Sequence, residues 1–256
     1  MKSIEYPIFH TPLIELIINE VIEMHSYSRF LFLFILTVLG AVWGSQAGAQ
    51  TQSGSSLVQG ECAACHAVSA SQLTEKGRMA QKGPALFYAG TKYRRDWVMK
   101  WLQDPVRIRP GGMFAGNHTI VTEEGDEIDA GSLVPHPRLD AKQAIDVADY
   151  LMTLTAHADV VRAQEYKPKK VSKRMGAMNF NKFKGCSSCH QDEPEYGGVS
   201  GPELYTAYSR LKADFIVAYI RNPLVWEGVS LMPHSDLKDK EIYKLVHYLK
   251  LISGEE

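Results

Sequence analysis

All four cysteines of this 256-residue chain lie in two short motifs, Cys62-Ala63-Ala64-Cys65-His66 and Cys186-Ser187-Ser188-Cys189-His190. C-x-x-C-H is the attachment sequence of haem c. Two cysteines three apart on a helical turn face the same way, so both thiols reach the vinyl groups on one edge of a porphyrin. The histidine that follows lies under the ring and supplies the proximal iron ligand. A shared zinc site needs its C-x-x-C pairs about 15–20 residues apart, whereas here the two motifs sit in opposite halves of the chain. A thioredoxin-like redox pair needs a βαβ context, which the sequence lacks. Structural disulfides would not require a histidine after each second cysteine. The motifs predict two haem c groups held by Cys62, Cys65, Cys186 and Cys189, with His66 and His190 on the irons.

The N-terminus reads as an export signal. Arg29 precedes the apolar run Phe30 to Gly44, and Ala47-Gly48-Ala49 offers a cleavage site. This is the layout of a secretory signal peptide, expected over residues 1–49, and Met24 makes a better start than Met1. The run is shorter than the roughly 20 apolar residues of a membrane span, so a membrane association is expected only if the segment stays uncleaved. The expected location is the periplasm. A net charge of −1 argues against nucleic acid as partner, since that binding needs a basic excess.

The chain repeats itself. Gly83-Pro84-Ala85-Leu86 matches Gly201-Pro202-Glu203-Leu204, and Trp97, Trp101, Asp104 and Pro105 match Phe215, Tyr219, Asn222 and Pro223 at a constant offset of 118. Leu133-Val134-Pro135-His136 matches Leu231-Met232-Pro233-His234 at an offset of 98. The first copy therefore carries an insertion of about 20 residues before its last helix. Apolar spacing predicts helices over Arg95 to Gln103, its twin Lys212 to Arg221, and the stretches containing Val147–Leu154 and Ile242–Ile252. No stretch shows sustained strand alternation.

Each half resembles a class I cytochrome c domain: a first helix leading into C-x-x-C-H, a Gly-Pro-x-Leu segment, and a last helix with an aromatic residue, here Tyr150 or Tyr248. The resemblance implies an all-α fold of two tandem domains, each a small helical bundle around one haem c. The expected boundaries are 50–156 for the first domain with its long inserted loop, 157–173 for a polar linker, and 174–256 for the second. Pro84 and Pro202 match the family's proline, whose carbonyl orients the proximal histidine. Gly176, Phe180 and Phe183 fit the first helix of the second half.

The resemblance also points to the sixth ligands. Met232, before the last helix, stands where the family supplies a methionine. In the first half Val134 occupies that place and cannot bind iron. Counting from the preceding helix brings up Met113 instead, with His136 and His118 as alternatives in or beside the insertion, or a vacant site. His157 and His247 have no motif around them and are expected to be solvated. The linker lysines Lys167, Lys169, Lys170 and Lys173, and the acidic run Glu123 to Asp129, read as solvated segments with docking of a charged partner as the sharper reading.

A haem with both axial positions filled has no room for substrate and suits electron transfer. The expectation is a dihaem carrier working between redox protein partners such as a quinol-oxidising complex, an oxidase or a dehydrogenase. The alternative is a haem enzyme, a peroxidase or sulfur-compound dehydrogenase, acting at an open first haem.

Overall fold

Each half of the sequence builds a matching series of four helices, with a further short helix after the first series. The computed structural model describes residues 53–163 and 166–255, so the expected export signal lies outside the described residues. The first half runs from α1 (53–60) through a tight turn at Cys62–Ala64 to α2 (Ala89–Lys92), α3 (Arg95–Gln103), α4 (Ala141–Thr153) and α5 (Ala158–Arg162). The second runs from α6 (Lys173–Met178), prolonged by a wider helical turn over Asn179–Phe183, through Cys186–Ser188 to α7 (Ala207–Arg210), α8 (Ala213–Arg221) and α9 (Asp239–Ile252).

Local chemistry explains these boundaries. α3 and α8 end immediately before an Asx-Pro pair, and proline does not favour a helical residue before it. α4 starts at a capping box, in which the Asp140 side chain accepts from the Gln143 amide and the Gln143 side chain accepts from the Asp140 amide. Along α9, Ile242, Leu245, Val246 and Leu249 are buried, as their spacing predicts.

Glycines let the first helix of each half approach the last. A Cβ on Gly54 would overlap the Asp146 carbonyl of α4, and one on Gly176 would overlap the Tyr248 ring of α9. Phe180 packs beside that ring, with centroids 6.0 Å apart.

Two short hairpins stand outside the expected all-helical pattern. β1 (Thr119–Thr122) pairs antiparallel with β2 (Gly125–Ile128) in the first-half insertion, and β3 (Gln191–Glu193) pairs with β4 (Tyr196–Gly197) after the second histidine. Thr119-Ile120-Val121-Thr122 is rich in β-branched residues, which favour a pleated strand. It is mostly exposed, so it carries no alternation of buried and exposed positions for a sequence reading to find.

The described residues from 53 onward pack into one compact unit. At the seam between the halves, Tyr93 and Leu211 form an isolated antiparallel bridge. The Arg94 amide donates to the Arg210 carbonyl at 3.0 Å, and the Lys212 amide donates to the Lys92 carbonyl at 2.9 Å. Tyr93 and Leu211 are 118 positions apart in the sequence, the offset of the repeat. Each half thus offers the same patch to the other, the pattern of a twofold contact. Phe87 and Tyr88 from the first half join Phe215, Trp226, Ile242 and Val246 from the second in one core.

The expected linker is part of this core. Val160, Val161 and Tyr166 pack against it. His157, expected in solvent, lies 5.6–6.1 Å from the rings of Phe87, Tyr88 and Trp226. His247 is half-buried as well. The polar composition of residues 157–173 hid these few apolar anchors.

Candidate functional site

The two C-x-x-C-H turns are built alike. The His66 amide donates to the Cys62 carbonyl at 3.0 Å, and the His190 amide to the Cys186 carbonyl at 3.1 Å. None of the four cysteines is paired in a disulfide. Burial pushes the Cys62 thiol up, and the Cys186 thiol up to about 11.

The Gly-Pro segments orient the histidines. His66 Nδ1 lies 2.7 Å from the Pro84 carbonyl, and His190 Nδ1 lies 2.7 Å from the Pro202 carbonyl. A carbonyl only accepts, so each Nδ1 carries the proton and each Nε2 keeps its lone pair. Burial lowers the basicity of both rings, which favours the neutral form that binds a metal. Gly83 and Gly201 press flat against the two rings, and a Cβ at either would overlap the imidazole. The segment is tied down by one more matching bond. The Leu86 amide donates to the Ala67 carbonyl at 2.8 Å, and the Leu204 amide to the Gln191 carbonyl at 2.7 Å. In both halves the cysteine pair, the oriented histidine and the glycine cradle fit a haem c. Such a group supplies reversible one-electron chemistry at its iron.

In the loop before the last helix the halves differ. In the second, Met232 is half-buried, and its amide donates to Ser230 Oγ at 3.3 Å. Ser230 is in turn 3.2 Å from the Tyr219 hydroxyl of α8. In the first, the Val134 that matches Met232 points to solvent, 82% exposed. Two residues on, His136 is half-buried. Its ring lies 4.6 Å from Trp101 of α3 and 6.2 Å from His66. Burial lowers its basicity too.

The other two residues named for the first haem are held by different contacts. Met113 follows the turn Arg109–Gly112, closed by a 3.1 Å bond from the Gly112 amide to the Arg109 carbonyl. That turn is pinned to the second half: the Gly111 amide donates to the Val199 carbonyl at 3.0 Å, and the Ile108 carbonyl accepts from the Glu203 amide at 2.7 Å. His118 is bonded through Nδ1 to Ser132 Oγ at 2.7 Å and rests on Gly112.

Sequence reading missed a buried polar group beside the second motif. Asp192 Oδ2 accepts from the Tyr248 hydroxyl at 2.7 Å and from Asn181 Nδ2 at 3.1 Å. A carboxylate two residues after the histidine was the available signal. Tyr248, marked as the aromatic of the last helix, holds this group as well as packing on Gly176.

Residues 172–249 match the family model described as cytochrome C oxidase, cbb3-type, subunit III. No curated protein and no solved structure matches the chain. The matched region, which contains the second motif, Gly201-Pro202 and Met232, is a c-type cytochrome domain. It carries haem c and serves haem-based electron transfer.

Proposed function

We propose that the whole chain is a dihaem electron-transfer protein of the periplasm, built as two tandem cytochrome c domains. The observation that carries this reading is the duplication of the histidine site. His66 has the same turn, the same proline carbonyl and the same glycine cradle as His190, which lies inside the matched region. Cys62 and Cys65 would hold the first haem and Cys186 and Cys189 the second, with His66 and His190 as proximal ligands. Met232 would complete the second iron, because Tyr219 and Ser230 anchor its loop on the preceding helix.

With both axial positions filled, neither haem takes a substrate, and the chain exchanges electrons with redox proteins. The matched family is named for an oxidase subunit, which supports an oxidase among the partner classes, beside a quinol-oxidising complex or a dehydrogenase. The enzyme reading needs an open first haem, and His136 stands beside that place. Among the described residues no helix is long and apolar enough to cross a membrane. The proposed export through residues 1–49 leaves a free mature protein.

Mass spectrometry of the protein expressed with a haem-attachment system tests this. Two added haems and loss of the first 49 residues are expected; a single haem refutes the dihaem reading. Met232→Ala then lowers the potential of one haem and leaves the other nearly unchanged.

A further inference from the structure

Building on the dihaem reading, we propose that His136, and neither Met113 nor His118, is the sixth ligand of the haem at the first motif. The chain then holds one bis-histidine haem and one histidine–methionine haem.

Spacing is the first reason. A metal–imidazole bond is about 2 Å, and the ring centre lies about 1 Å beyond the bound nitrogen, so two imidazoles trans on one metal have centres roughly 6 Å apart. The His66 and His136 rings are 6.2 Å apart, centre to centre. His136 lies closer to Trp101, 4.6 Å away with the two rings tilted by 60°.

Protonation is the second. His136 Nδ1 lies 2.8 Å from the Pro137 carbonyl, as His66 Nδ1 lies 2.7 Å from the Pro84 carbonyl. Both rings therefore carry the proton on Nδ1 and keep a lone pair on Nε2. A metal-bound histidine is held in this way, with its second nitrogen donating to an outer partner.

The third reason is how the loop is fastened. Trp101 Nε1 donates to the Val106 carbonyl at 2.9 Å, which sets the indole against His136. Arg107 Nη2 donates to the carbonyls of Leu133 and Val134 at 3.3 and 3.4 Å. Trp101 is the repeat partner of Tyr219, which anchors the Met232 loop through Ser230. One position on the corresponding helix thus steadies the distal loop in both halves. It steadies a histidine in the first and a methionine in the second. Met113, by contrast, follows a turn pinned to the second half, and His118 is turned toward Ser132 and Gly112.

The consequence is a direction. A thioether raises the potential of haem iron relative to a second imidazole. An electron entering on the His66–His136 side runs downhill to the His190–Met232 side.

The test is near-infrared magnetic circular dichroism of the oxidised mature protein, with its haem count from mass spectrometry. One bis-histidine band and one histidine–methionine band are expected. His136→Ala should replace the bis-histidine band with a high-spin signal, and His136→Met should raise the lower of the two potentials toward the other. Two haems with two histidine–methionine bands overturn the role of His136 and leave the dihaem reading intact. A single haem overturns the dihaem reading itself. If the His136 variants do not accumulate, Met113→Ala and His118→Ala decide: a bis-histidine band unchanged in both supports His136, and its loss in His118→Ala overturns it.

Discussion

The two halves hold the histidines of their motifs alike and part company in the loop before the last helix. His66 and His190 share a proline carbonyl at the same distance and a glycine pressed on the imidazole. In that loop the first half brings up His136 on Trp101, and the second brings up Met232 next to a serine held by Tyr219. The same asymmetry runs through the seam. Lys92 and Arg210 are repeat partners, yet Lys92 rests over the rings of Tyr88, Tyr93 and Phe215 at 4.9–5.7 Å. Arg210 is buried and bonded to the carbonyl and side chain of Glu203. A duplicated scaffold thus keeps the histidine turn and its proline carbonyl and varies the loop before the last helix.

Removing the attachment chemistry breaks the comparison most completely. Cys62→Ser with Cys65→Ser should leave a chain whose mass shows one haem fewer, and so should Cys186→Ser with Cys189→Ser. If either pair of changes leaves two haems, the two motifs are not equivalent attachment sites.

The seam cations come next. Arg210→Ala leaves Glu203 as an unpaired buried carboxylate, and breaking such a pair costs about 3–5 kcal/mol. Lys92→Ala removes cation–π contacts worth about 0.5–1 kcal/mol at a partly exposed site. Urea unfolding should rank them in that order. Equal costs would mean that burial does not separate the two positions.

Tyr219→Phe removes the hydroxyl that steadies Ser230 and should cost about 1 kcal/mol, with a shift in the potential of the second haem only. A shift confined to the first haem would place Tyr219 on the wrong side of the comparison. The smallest effect appears only in alkali. Burial, first of all, pushes the Tyr88 and Tyr219 hydroxyls up from their ordinary value, which is near 10. Above about pH 10 the unfolded chain has lost protons that the folded chain keeps. Stability is therefore full below that pH and falls as pH rises further. Tyr88→Phe should flatten the alkaline limb of a stability–pH curve, and an unchanged limb would remove Tyr88 from the account.

Much of this was legible in the chain. The C-x-x-C-H motifs, the Gly-Pro pairs, the α3 stretch Arg95–Gln103 and the apolar face of α9 all depend on neighbours within a few residues. Gly176 was legible only through the resemblance, because the ring it packs on, Tyr248, lies on the last helix. The β1–β2 hairpin was not legible, because its exposed strands have no buried face to mark them. The packing of His157 was not legible either, since one residue among polar neighbours carries no periodicity.

By itself, the sequence determined where a haem can be attached, because thiol spacing and the adjacent histidine are covalent and local. It also determined that the unit is repeated, and that Val134 breaks the repeat where Met232 stands. Only the tertiary structure decided that the His136 ring lies 6.2 Å from that of His66. That placement depends on where a long insertion returns to α3, and the return is set by Trp101, Arg107 and the seam with the second half. These contacts join residues far apart in the chain, so no spacing along it records them.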